Sequence, residues 1–126
     1  MYSLDEIGDI LDSIVDSLPL EVYKDLNGGV LLLPEAKIHP ESAGEDLFIL
    51  GEYHADWPMG KYIIIYFGSV MQIYGHLSLA KLKEKLTDIL WHEMTHHWEF
   101  LAGEKGLEIK DEIEMEQYRR NQQSKS

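Results

Sequence analysis

The 126-residue chain contains no cysteine, which excludes disulfides, thiolate metal sites and cysteine nucleophiles. Basic residues are also scarce, because 11 Lys and Arg face 23 Asp and Glu and leave a formal net charge of −12. Nucleic acids and anionic membranes bind to clustered positive charge, so neither is an expected partner. Acidity favours solubility, and carboxylates near a site help to hold a cation.

Long hydrophobic runs are missing as well. The longest apolar run, residues 62–67, is far shorter than the roughly 20 residues that a membrane-spanning helix needs. The first six residues are acidic and lack the basic and apolar regions of a secretory signal. The expected location is therefore the cytoplasm.

The apolar pattern predicts one α+β domain over residues 1–120, followed by a disordered tail at 121–126. Three- and four-residue spacing predicts helices at residues 3–18, 20–26, 78–102 and 107–120. Short apolar and β-branched runs predict strands at residues 30–33, 47–53 and 61–67. Residues 68–75 are ambiguous and fit either a continued strand or a loop. The predicted sheet is small, and antiparallel or mixed.

The predicted helix at 78–102 changes character at Ile89. From there Trp91, Met94 and Trp98 leave little polar surface except the histidines and glutamates between them. A helix that is apolar on most sides is usually buried. We therefore expect this part of the helix to enter the core and to carry its ionisable residues inward.

The segment from residue 92 to residue 96 reads His-Glu-Met-Thr-His. His92 and His96 are four residues apart, so a helix places them on one face, where two imidazoles can share one zinc ion. Glu93 lies beside that face and can accept a proton from a zinc-bound water and pass it to a leaving amine. The pattern predicts a Zn²⁺ site with a catalytic glutamate.

A catalytic zinc site needs a third protein ligand and an open fourth position. Asp111 is the first candidate and Glu108 the second, because the glycines at 103 and 106 let the chain turn back toward the metal. Glu104 and Glu112 are weaker candidates. Glu99, one turn after His96, is expected to hold a histidine N–H instead, because three ligands from one straight helix would crowd the metal.

Other polar residues are expected to have structural roles. His97 should be a hydrogen-bonded or half-exposed histidine that points away from the metal, and His39, His54 and His76 should be surface or loop residues. Tyr66, Tyr74 and Tyr118 are placed in the sequence where a phenol could reach a developing oxyanion. Packing with a solvated hydroxyl is the favoured interpretation for each tyrosine.

Residues 90–98 resemble the active helix of the minimal zincin-like metallopeptidases, which are small bacterial single-domain proteins of about this length. In that family the helix follows a short sheet that ends in a strand much like residues 63–66 here. The resemblance implies a zincin-like fold, and it implies Asp111, which follows Gly106, as the third ligand. This chain departs from the family pattern by about two additional helical turns, at residues 99–105.

The resemblance also implies that an extended peptide is bound by strand addition to an edge strand. The strand at 61–67 is the candidate edge. The predicted function is a zinc metallopeptidase that acts on peptides or unfolded segments, weakly or with narrow specificity, because so small a domain cannot form a deep cleft. A non-catalytic zinc-binding or protein-interaction module is the alternative, and a zinc amidase acting on a non-peptide substrate is a third interpretation. Glu93 favours the enzyme, since a structural zinc site does not need it.

Overall fold

A computed structural model describes residues 2–44, 46–56 and 60–105. The elements in chain order are helix α1 (Leu4–Ser17), a 3₁₀ turn (Leu20–Tyr23), strands β1 (Gly29–Leu33), β2 (Lys37–Ile38), β3 (Phe48–Ile49), β4 (Gly51–Asp56) and β5 (Gly60–Tyr66), and helices α2 (Phe67–Tyr74) and α3 (Leu79–Lys105). This arrangement confirms the predicted α+β class. The predicted helix at 107–120, the domain end at 120 and the tail at 121–126 lie outside the described residues.

Helix α1 confirms its prediction to within one residue at each end. The Ser3 hydroxyl accepts from the Glu6 N–H at 3.1 Å and the Glu6 carboxylate accepts from the Ser3 N–H at 2.9 Å, which completes the capping box. Its apolar stripe of Ile7, Leu11 and Ile14 is buried. This stripe is what fastens α1 to the rest of the domain.

The main sheet has three strands in the order β1-β5-β4 and is mixed. Strand β5 runs parallel to β1, with Gly29 opposite Tyr62, and antiparallel to β4, with Gly51 opposite Ile65. Strands β2 and β3 form a separate two-stranded antiparallel ladder. One face of β5, with Ile63 and Ile65, packs against α1 and α3 in the core.

The expected edge position of the strand at 61–67 is wrong, because β5 is the central strand and β4 lies at the edge of the described sheet. The other face of β5 carries Tyr62, Ile64 and Tyr66, all buried. Burial on both faces is typical of a strand in the middle of a sheet, which is where β5 lies.

Three further segments differ from the expected elements. The helix expected at 20–26 is only the 3₁₀ turn Leu20–Tyr23. The ambiguous segment after β5 is the helix α2, which begins directly at Phe67. The strand expected at 47–53 is divided into β3 and β4 at Leu50. At the start of α2, Gly68 donates to the Glu35 carbonyl at 3.0 Å, and a Cβ there would lie 2.5 Å from the Ala36 nitrogen. This close backbone contact leaves no room for a side chain at position 68.

Among the helices of residues 2–44, 46–56 and 60–105, none combines the length and the apolar character that crossing a bilayer requires.

A polar cluster on the outer face of the sheet joins β2 to β4 and β5. The Glu52 carboxylate pairs with the Lys37 ammonium and accepts a hydrogen bond from the Tyr66 hydroxyl at 2.7 Å. His54 Nε2 lies 3.0 Å from the same carboxylate, and its ring stacks on Tyr62 with centroids 5.1 Å apart. Burial alone would raise the pKa of Glu52, but the hydrogen bonds from Lys37, Tyr66 and His54 lower this pKa to about 2.

We expect this cluster to make the domain acid-sensitive. Because the pKa of Glu52 in the folded state is about 2 and its ordinary value is 4.5, the ionised carboxylate stabilises the fold at neutral pH. That contribution, on the order of 2 kcal/mol, is lost as the pH falls from about 4.5 to about 2. Denaturant unfolding at a series of pH values should show a smaller acid loss in Glu52→Gln than in the wild type. The exposed Glu21→Gln variant should keep the wild-type profile, and an identical profile in Glu52→Gln would contradict this role.

Candidate metal centre

Helix α3 divides the residues of the motif between two faces. The side chains of His92 and His96 are 57% and 50% exposed, whereas Glu93 and His97 are buried. The expectation that the helix carries all these ionisable residues inward is therefore wrong for the two histidines. Each residue turns the helix by about 100°, so residues 92 and 96 share the outer face while residues 93 and 97 face the sheet.

The two exposed imidazoles converge on one point. His92 Nε2 and His96 Nε2 lie 3.3 Å apart, and the ring planes cross at 87°. Two nitrogens each about 2.0–2.1 Å from one tetrahedral zinc ion are about 3.3 Å apart, so the observed separation fits a shared metal. The same distance fits a hydrogen bond between the rings, which a metal would replace. His92 and His96 therefore have the nitrogen–nitrogen separation that two ligands of one metal ion require.

Glu93 lies on the inner side of this pair. Its side chain is 8% exposed, and its Oε2 atom is 4.0 Å from His92 Nε2. Gly51 of β4 packs against it so closely that an added Cβ would lie 3.2 Å from Glu93 Cγ and 3.1 Å from the Ile64 carbonyl oxygen. The glycine therefore gives the carboxylate room next to the edge strand. This placement is suitable for a general base.

A groove leads away from Glu93 along α3. One wall is the segment 48–51, and the other is formed by Lys85, Asp88, Ile89 and His92. Tyr74 of α2 also lines the groove, and the cavity volume is about 360 Å³. Pockets of about 300–1,000 Å³ with an apolar lining and a few polar groups are typical of ligand sites. Tyr74 belongs to the segment after β5 that the sequence left ambiguous and was named as a possible oxyanion contact, whereas Lys85 and Gly51 were not predicted as parts of a groove, since only the folded chain brings them together.

His97 fixes the position of α3 against the sheet. Its Nε2 lies 2.7 Å from the Lys24 carbonyl oxygen, and its Nδ1 lies 2.7 Å from the Tyr53 hydroxyl. A carbonyl only accepts, so Nε2 carries the proton and Nδ1 accepts from Tyr53 in the neutral ring. Trp98 Nε1 donates to the Val22 carbonyl oxygen at 2.9 Å beside it. The expectation of a hydrogen-bonded His97 directed away from the metal is confirmed, and the residue is fully buried.

The third ligand is not brought to the histidines by the part of the chain that the structure describes. Asp111, Glu108 and Glu112 lie outside the described residues, as do the Glu104 side chain and Tyr118. Glu99 Oε1 lies 3.7 Å from His96 Nδ1, on the opposite side of the ring from the converging nitrogen. Within residues 2–44, 46–56 and 60–103, no group of three or more His, Cys, Asp or Glu side chains could hold a metal.

The remaining predicted residues lie away from the two histidines or at the groove margin. Tyr66 belongs to the Glu52 cluster on the outer sheet face, and Tyr74 lies in the groove wall. His39 and His76 are surface residues, whereas His54 differs from the expected plain surface histidine because it stacks on Tyr62 within the same cluster.

No family model matches the sequence, and no curated protein matches it either. Among solved structures, the fold is similar to that of a conserved hypothetical protein from Thermus thermophilus. The TM-score is 0.72 and the identity 26%, over 82% of this chain and all of the other. This likeness supports the α+β fold and carries no statement about activity.

Proposed function

We propose that the protein is a zinc-dependent metallopeptidase that hydrolyses peptide bonds in peptides or unfolded segments. The observation that supports it most is the 3.3 Å separation of His92 Nε2 and His96 Nε2 next to the buried Glu93 carboxylate. His92 and His96 would hold the ion, with Asp111 or Glu108 as the third ligand. When bound, zinc would supply a Lewis acid and lower the pKa of its water.

The residues of the chain would handle the proton. Glu93 is buried beside His92, so its carboxylate would take the proton from the attacking water and later deliver it to the leaving amine. Glu99, next to His96 Nδ1, would orient the ring by accepting its N–H. Gly51 keeps the side of Glu93 open to substrate, because any side chain there would press on the Glu93 carbon chain.

The edge strand β4 would bind the substrate backbone. The Tyr66 N–H donates to the Leu50 carbonyl at 2.9 Å, so alternation along the ladder turns the backbone groups of Gly51 away from β5. An extended peptide lying along Gly51 would pass Glu93 and enter the groove. Strand addition at β4 therefore replaces the addition at residues 61–67 that was expected from the sequence.

Zinc content tests the proposal directly. Protein purified without chelator or affinity tag should hold close to one zinc per chain, measured by elemental mass spectrometry. His96→Ala removes one of the two converging nitrogens and should lower zinc to near zero, whereas His76→Ala, which removes an exposed histidine, should keep the wild-type value.

Two other outcomes have distinct meanings. A wild-type value near zero in zinc-replete buffer would contradict the metal site. A value near one with no hydrolysis of any peptide would instead favour the alternative, a non-catalytic zinc-binding or protein-interaction module.

A further inference from the structure

Among the described residues that line the groove, Lys85 is the one lysine or arginine, and it lies eight residues before Glu93 on α3. The Lys85 ammonium is 5.8 Å from the centre of the Tyr74 ring, and no carboxylate of the described residues forms an ion pair with it. Lys85 therefore gives this groove a positive charge in a chain where acidic residues outnumber basic ones by about two to one. A cation held over an aromatic ring keeps its charge available to a ligand.

The distance between Lys85 and Glu93 determines which part of a bound peptide the Lys85 ammonium would contact. Lys85 and Glu93 are eight residues apart on α3, which is about 12 Å at a rise of about 1.5 Å per residue. An extended peptide covers about 3.3 Å per residue. A carboxylate bound by Lys85 would therefore lie about three to four residues from the bond next to Glu93.

The orientation of β4 sets the direction of the peptide. Gly51 of β4 contacts Ile89 and Glu93, and Tyr53 contacts His97, so β4 and α3 run the same way. A peptide that pairs antiparallel with β4, the more common and slightly more stable pairing, runs the opposite way. Its C-terminal part would then point toward Lys85.

The walls between the two ends are apolar. Phe48, Ile49 and Leu50 line one side, and Ile89, next to Glu93, lines the other. A groove with these walls favours an apolar side chain just after the cleaved bond, because apolar surface leaves water there. Asp88 is the one acidic side chain between Lys85 and Ile89, and it opposes the attraction of Lys85 for an anion.

We propose that the groove selects peptides that carry an apolar residue just after the cleaved bond and a carboxylate about three to four residues after that bond, where Lys85 binds it. The carboxylate is either the C-terminus of a short peptide or an acidic side chain of a longer one. This inference rests on the proposed function, because the cleaved bond is placed beside Glu93.

Binding to metal-free protein tests the selection separately from catalysis. The probes are N-terminally fluorescein-labelled Gly-Ala-Ala-Leu-Ala-Ala peptides that end in a free acid, in a carboxamide, or in an added Glu with a carboxamide. Fluorescence anisotropy should show about tenfold tighter binding of the free acid or the Glu peptide than of the plain carboxamide, as expected for one charge-assisted contact. Preference for the free acid alone identifies the C-terminus as the ligand, and preference for the Glu peptide alone identifies a side chain.

Three variants assign that preference to the groove. Lys85→Gln should reduce the acid-to-amide ratio to about one, and Asp88→Asn should increase it. Lys83→Gln removes an exposed lysine of the same helix and should leave the ratio unchanged. Equal binding of all three peptides to the wild type, absence of binding, or a preference that survives Lys85→Gln would each overturn the inference.

The test of this acid preference and the test of peptide hydrolysis can give different results. A Lys85-dependent preference with no cleavage by zinc-loaded protein would support this groove and contradict the proposed hydrolysis. Cleavage without any acid preference would support the proposed hydrolysis and contradict the role of Lys85 in the groove.

Discussion

Replacing Glu93 by glutamine should abolish peptide hydrolysis and leave the zinc content unchanged. Glutamine keeps the shape that packs against Gly51 but cannot take a proton from water. General acid–base catalysis contributes roughly 10²–10⁴ in rate, so turnover should fall by at least about a hundredfold. The assay is cleavage of a fluorogenic peptide by zinc-loaded protein, with zinc per chain measured on the same sample.

Glu84→Gln is the matched control, because Glu84 is an exposed carboxylate of the same helix that pairs with Lys81. It should keep the wild-type rate. A Glu93→Gln variant that retains more than about a tenth of the wild-type rate would remove Glu93 from the proposed mechanism.

The second large effect concerns stability. His97→Ala should lower the free energy of unfolding by about 3 kcal/mol, because it opens a cavity in the core and removes the partners of the Lys24 carbonyl and the Tyr53 hydroxyl. Tyr53→Phe removes only one of these hydrogen bonds and should cost about 1 kcal/mol. Urea unfolding of the three proteins measures both values.

His76→Ala provides the baseline for loss of a histidine and should change stability by less than about 0.5 kcal/mol, since His76 is exposed. Stability of His97→Ala within about 1 kcal/mol of the wild type would mean that the buried hydrogen bonds do not hold α3 against β4. The hydrolysis rate of Tyr53→Phe reports separately whether that contact also positions Glu93.

Signals that act over a few residues predicted α1 and α3 well, but not α2. The Ser3 and Glu6 pair marks the start of α1, and the spacing of Ile7, Leu11 and Ile14 gives its buried face. The pairing of the strands could not be predicted in the same way, because a strand does not encode which strands lie beside it. The uninterrupted apolar run at residues 63–66 nevertheless indicates a central strand, since such strands are buried on both faces.

The candidate site was predictable only where it depends on one helix. The spacing of His92 and His96 and the position of Glu93 follow from helical geometry alone. The groove depends on contacts between residues 48–51 and α3 that no local pattern contains. The burial of His97 and exposure of His92 could have been foreseen from the helical turn, because Trp91, Met94 and Trp98 mark an inner side rather than a wholly buried helix.

The parallel pairing of β1 with β5 has a consequence for the order of folding. Gly29 pairs with Tyr62, so the chain must close a loop of more than 30 residues, whereas the β4–β5 hairpin joins Asp56 to Gly60. Closing a long loop costs entropy before any contact repays it, so we expect the hairpin and α3 to form before β1 docks. His92 and His96 then come together as soon as α3 is helical. The groove wall that contains Gly51 forms only later, when the hairpin packs on that helix. A refolding chain would therefore present the two histidines of the proposed metal site before it has a place to bind a peptide.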